Sequence, residues 1–211
     1  MFFPTQPAFP AACPTAPRRP FRWSLLIGFC LLAAACSEAP RFNATDITGA
    51  DWGRDFSLAD HSGTPRSLAD YRGKAVALFF GYTHCPDVCP TNLAALANVM
   101  KLLGADADRV QVLFVTVDPA RDTRELLAKY VPWFDPRFVG LSGDAAATAA
   151  VARDFKVFYT AQPPDAHGNY AVDHTASTYL FDPQGRLRLL VQHGESAERI
   201  AADIRLLLMG K

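Results

Sequence analysis

The chain has 211 residues, half of them hydrophobic, with 21 basic and 21 acidic side chains. That length suits one ordinary domain of about 100–200 residues plus an extension. A formal net charge of zero, with no basic run beyond the N-terminus, argues against a nucleic-acid partner.

Residues 1–36 read as an export segment and not as part of the fold. Residues 1–20 are rich in Pro and Ala without periodicity, and Arg18, Arg19 and Arg22 then precede an uncharged apolar run over 23–35. A basic flank, a short greasy core and small residues describe an export signal. The run is shorter than the roughly 18–20 residues of a comfortable membrane span. Leu32-Ala33-Ala34-Ala35-Cys36 is similar to a lipoprotein cleavage box with Cys36 as the acylated residue, although the leucine stands one place early. An uncleaved anchor helix is the alternative. Either way the remainder is expected outside the cytoplasm, tied to a membrane and facing the periplasm or an equivalent space. That remainder is mildly acidic, with 18 basic against 21 acidic side chains.

Residues 37–54 read as a flexible polar tether, and 55–211 as one domain. Two short apolar pieces over 56–68 flank His61-Ser62-Gly63, which predicts a hairpin. The unbroken apolar run 75–80 fits a strand buried on both faces. A helix is expected over 91–103, with Leu93, Leu96, Ala97, Met100 and Leu103 at helical spacing and Gly104 ending it. A second buried strand follows at 110–117. Helices are expected over 124–131, after Arg121-Asp122-Thr123, and over 144–155, capped by Asp144. A short strand lies between them at 138–141. An edge strand at 157–160 leads into a polar loop over 161–169. Strands at 177–181 and 186–192 flank the turn Asp182-Pro183-Gln184-Gly185, and a helix closes the chain over 196–209. Strands alternating with helices, then a late hairpin and a last helix, describe an α/β domain with a mixed central sheet.

With Cys13, Cys30 and Cys36 in the leader, Cys85 and Cys89 are the cysteines of the exported part. One close pair is no disulfide framework and closes too small a loop to stabilise much. Its use is reactivity. Both cysteines lie where an apolar strand ends and a helix begins, the carboxyl edge at which ligands gather in such sheets. The partial positive charge of a helix N-terminus favours thiolate. Thiolate is both a metal ligand and a redox nucleophile, so spacing alone does not choose between a metal site and a redox-active disulfide. His174, in Val172-Asp173-His174, offers an imidazole. Two thiolates and one imidazole form a soft set that suits copper, Cu(I) above all. Structural zinc usually takes four protein ligands, and no fourth is apparent. Asp173 is expected to orient His174, with Asp87 and Asp118 beside the site. His84 is expected to point away from it. His61, His167 and His193 read as solvated turn residues. Tyr82 and the Phe79-Phe80 pair read as core or rim.

Gly81-Tyr82-Thr83-His84-Cys85-Pro86-Asp87-Val88-Cys89-Pro90, Val117-Asp118-Pro119-Ala120-Arg121-Asp122-Thr123 and Val172-Asp173-His174-Thr175 closely resemble three signatures of the SCO/SenC family, in the same order. The resemblance covers roughly residues 55–208. It implies a thioredoxin-like fold with an N-terminal hairpin extension. It also implies a membrane-tethered copper metallochaperone that loads the copper-bearing subunit of cytochrome c oxidase, with Cys85, Cys89 and His174 as ligands. Other copper chaperones or thioredoxin-like reductants would then be further partners. Thioredoxin-like reductases carry a cis-proline before the strand facing their thiols; this chain has Ala176 there and His174 two residues earlier. Its cysteine pair is also one residue wider than C-x-x-C. Both departures favour a metal carrier over an enzyme. A thiol-disulfide oxidoreductase acting on the oxidase cysteines, or a redox or copper sensor, is the alternative.

Overall fold

Ala75–Gly81 and Val110–Thr116 carry no polar face, so both strands must be covered on both sides. In the computed structural model, which describes residues 41–211, they are the adjacent central strands of one sheet. The elements are β1 (Thr45–Asp46), β2 (Leu58–Asp60), β3 (Pro65–Arg66), β4 (Ala75–Gly81), α1 (Val88–Leu103), β5 (Val110–Thr116) and α2 (Arg124–Phe134). There follow β6 (Val139–Ser142), α3 (Ala145–Asp154), β7 (Tyr159–Ala161), β8 (Val172–His174), β9 (Thr178–Phe181), β10 (Leu187–Val191) and α4 (Ala197–Leu208). Short 3₁₀ helices lie at Leu68–Tyr71 and Gly104–Arg109.

The main sheet has eight strands in the order β1-β10-β9-β4-β5-β6-β2-β3. β4, β5 and β6 are parallel and the remaining pairs antiparallel, which gives the mixed sheet expected from the sequence. Phe79, Phe80, Phe114, Phe155 and Phe181 are fully buried in its layers. Thr123, Asp144 and Ser196 cap α2, α3 and α4 with side-chain oxygens, each satisfying an amide of the first turn. α2 runs beyond its expected end, through Pro132 to Phe134, whose ring packs edge-on against Tyr130. Among the described residues, Val88–Arg109 is long and apolar enough to cross a membrane. Its buried residues, Leu93, Leu96 and Met100 among them, belong to the domain core.

Two readings change. His61 is half-buried: its Nδ1 accepts the Gly140 N–H at 3.0 Å, while its own N–H donates to the Gly140 carbonyl at 2.9 Å. The predicted β2–β3 hairpin is thereby stitched onto β6 as the sheet's edge. The tether is the second change. Residues 43–54 lie along the domain instead of hanging free. β1 pairs with β10, and Trp52 packs edge-on to Tyr179. The buried Asp203 carboxylate accepts the Asn43 N–H at 2.9 Å and the Ala44 N–H at 2.8 Å. The sequence hides this because the acid that holds the strand is 160 residues away. Asp203→Ala is expected to cost about 1.5–3 kcal/mol in urea unfolding, the range for bonds to a charged group. Proteolysis near residue 44 should rise with it. The leader over 1–36, with Cys36, lies outside the described residues.

Candidate metal centre

β4 ends at Gly81, and the chain turns through Tyr82–Asp87 into α1. The helix begins three residues earlier than the periodicity predicts. Pro90 is compatible with this because a first-turn residue needs no N–H. Cys89 therefore sits in the first helical turn, fully buried, and Cys85 in the loop, half-buried. Both are free thiols. The Cys89 N–H points at Cys85 Sγ, 3.4 Å away.

His174 ends β8, which pairs with β7 in a separate two-stranded ribbon. Its Nε2 lies 3.4 Å from Cys89 Sγ. Its Nδ1 lies 3.0 Å from the Val172 carbonyl, which accepts the Nδ1 proton and leaves the Nε2 lone pair facing the sulfur. Tyr82 and Phe79 meet the ring edge-on, at centroid distances of 5.6 and 6.4 Å. A sulfur and an imidazole nitrogen 85 residues apart in sequence are thus within one side-chain adjustment of a common ion. Among the described residues, no three Cys, His, Asp or Glu side chains already close around one point.

The helix-terminus expectation of a populated thiolate fails at Cys89. Burial pushes the Cys89 thiol up, and the neighbouring Cys85 adds to the rise. A buried sulfur loses more from desolvation than the helix end returns.

The three acids expected around the site are placed otherwise. Asp173 is exposed and accepts from Gln162 Nε2 at 2.6 Å, because alternation along β8 turns it away from His174's side. The Val172 carbonyl takes the orienting role instead. Asp87 is exposed at the N-cap of α1 and accepts from Thr91 Oγ1 at 3.2 Å. Asp118 is buried and accepts from Arg121 Nε at 2.5 Å and Tyr170 OH at 2.9 Å. The guanidinium of Arg121 stacks 3.4 Å over Tyr170 and lies 5.7 Å from the Tyr82 ring. Asp118 thus supports the wall behind Tyr82 without reaching a sulfur. His84 is exposed, with its Nδ1 3.1 Å from Thr83 Oγ1 and 3.7 Å from Asp122 Oδ1. His167 and His193 are exposed.

Residues 44–209 match the SCO1/SenC family model. The chain belongs to the SCO1/SenC family. It is 44% identical over 153 residues to the mitochondrial SCO2 homologue of Mus musculus, a match covering 72% of this chain and 60% of that protein. The chain therefore spans less than two thirds of that relative's length. Among solved structures, it is similar to Bradyrhizobium japonicum ScoI with copper bound, at 40% identity and a TM-score of 0.67, over 72% of this chain and 97% of that one. The apo Sco1 of Thermus thermophilus matches at 41% identity and a TM-score of 0.71, over 79% and 97%. The fold is thioredoxin-like, as the signatures imply.

Proposed function

We propose that this chain is an exported, membrane-tethered copper carrier. It would hold one copper ion on Cys85, Cys89 and His174 and pass it to the copper-bearing subunit of cytochrome c oxidase during assembly. The observation that carries the reading is His174 Nε2 at 3.4 Å from Cys89 Sγ, with Cys85 Sγ against the Cys89 amide. Two soft sulfurs and one nitrogen leave a coordination shell open. An acceptor can then begin to ligate before the donor lets go, so the ion passes without entering solution. Copper bound to ScoI of Bradyrhizobium japonicum supports the choice of metal. The test is titration of the reduced full chain with Cu(I) against a competing chelator, followed by transfer to the soluble copper domain of the oxidase subunit. One equivalent bound and handed on is expected. No binding, or binding unchanged on replacing Cys85 or Cys89, would remove the reading.

The buried Cys89 thiol sets the pH dependence. A group whose proton is held more tightly in the fold must lose it when the sulfur binds metal. Affinity is therefore expected to rise by ~10-fold per pH unit for each proton released across neutral pH. Calorimetry in buffers of different ionisation heat would count the protons. For the copper-free fold, the sign runs the other way. The raised pKa contributes stability below the ordinary Cys value of 9.0, and this is lost as pH climbs above it.

A further inference from the structure

The Asp122 carboxylate is buried, yet no Lys or Arg among the described residues pairs with it, and the exposed His84 places its Nδ1 3.7 Å away. A buried carboxylate is costlier than a neutral amide unless its oxygens are fully used. Here they are. Thr116 Oγ1, at the end of β5, donates to Oδ2 at 2.6 Å. Thr83 Oγ1 donates to Oδ1 at 2.6 Å, and the Thr83 N–H to Oδ2 at 3.0 Å. The hydroxyl proton of Thr83 being spent on Asp122, its oxygen accepts from His84 Nδ1 at 3.1 Å. Asp122 is not needed as the cap of α2, because Thr123 accepts the Leu126 N–H. Its oxygens turn back to the loop two residues before Cys85.

We infer that Asp122 is the positioning residue of the cysteine loop: anchored by Thr116, it fixes Thr83 and so the backbone that presents Cys85. The inference rests on the reading of Cys85 as a metal ligand, but it makes a claim about the loop that holds without metal. A carboxylate fits the task because it accepts three short bonds at once. An asparagine offers one oxygen and places an N–H₂ against a donor.

The test uses the reduced full chain with Asp122→Asn, Thr83→Val and Thr83→Ser, and with Asp203→Asn as a buried-carboxylate control away from the loop. Amide hydrogen exchange over residues 83–85 and Cu(I) affinity are both read. Asp122→Asn and Thr83→Val are expected to speed exchange at these amides and to weaken Cu(I) by about 10–100-fold, the range for groups that orient ligands. Thr83→Ser should restore both, and Asp203→Asn should leave both unchanged. Unaltered loop exchange in Asp122→Asn and Thr83→Val would overturn the inference. So would copper losses that Asp203→Asn reproduces. If Asp122→Asn does not fold, the Thr83 pair decides. If the unmodified chain takes up no copper, the carrier reading fails by itself. The exchange data, with the rate of Cys85 alkylation by iodoacetamide, then still decide the inference.

Discussion

His174→Ala is expected to weaken Cu(I) binding by at least ~100-fold, more than the roughly 10–100-fold typical of losing a group that only orients a ligand. The fold should survive. His174 is half-buried and ends a two-stranded ribbon, so its loss breaks no strand pairing of the main sheet and costs one edge-on contact with Phe79. What disappears is the nitrogen 3.4 Å from Cys89 Sγ. Cys89 is then left buried with its proton held tightly and with one fewer reason to release it. The variant separates the two chemistries the thiol pair permits. A dithiol that exchanges with partner disulfides needs Cys85 and Cys89 and no imidazole. A copper carrier needs all three. A competition titration alongside a dithiol–disulfide exchange assay gives the answer: copper lost with exchange retained is expected. Copper binding within a few-fold of the unmodified chain would strike His174 from the ligand set.

The central strands were legible because continuous apolar runs have one sensible home in an α/β sheet, and the caps of α2 and α3 because Thr123 and Asp144 act within four residues of themselves. The sulfur–imidazole pair was legible for a different reason: chemistry narrowed it, since few residues over 55–211 bind soft metals. Features decided by long-range pairing stayed hidden. β1 looks like linker until Asp203 is placed beneath it. His61 looks like a turn residue until Gly140 arrives with its N–H. Asp173 adjoins His174 in sequence, but alternation sends neighbours on a strand to opposite faces. The acid that grips the cysteine loop is instead Asp122, whose partners Thr83 and Thr116 meet it only after β4 and β5 pair.

Gly81→Ala tests how tightly the sheet is fitted to the site. A Cβ at position 81 would stand 2.8 Å from Cys89 Sγ, 2.8 Å from Phe114 Cε2 and 3.1 Å from Phe79 Cε1. The backbone cannot retreat, because Gly81 is in register with Thr116 and its carbonyl accepts the Val117 N–H at 2.9 Å. Either the sulfur turns away, or a buried phenylalanine leaves its place, or the start of α1 lifts. Overpacking of this kind costs about 1–3 kcal/mol, and urea unfolding is expected to show it. Copper affinity should fall as well if the sulfur is what yields, because Cys89 would leave the line to His174 Nε2. Adding Cys89→Ala to Gly81→Ala distinguishes the walls. If the methyl collides with sulfur, removing that sulfur should recover about 0.5–3 kcal/mol as a coupling between the two positions. If nothing is recovered, Phe114 is the wall, and the close approach of β4 to α1 serves the core and not the candidate metal centre.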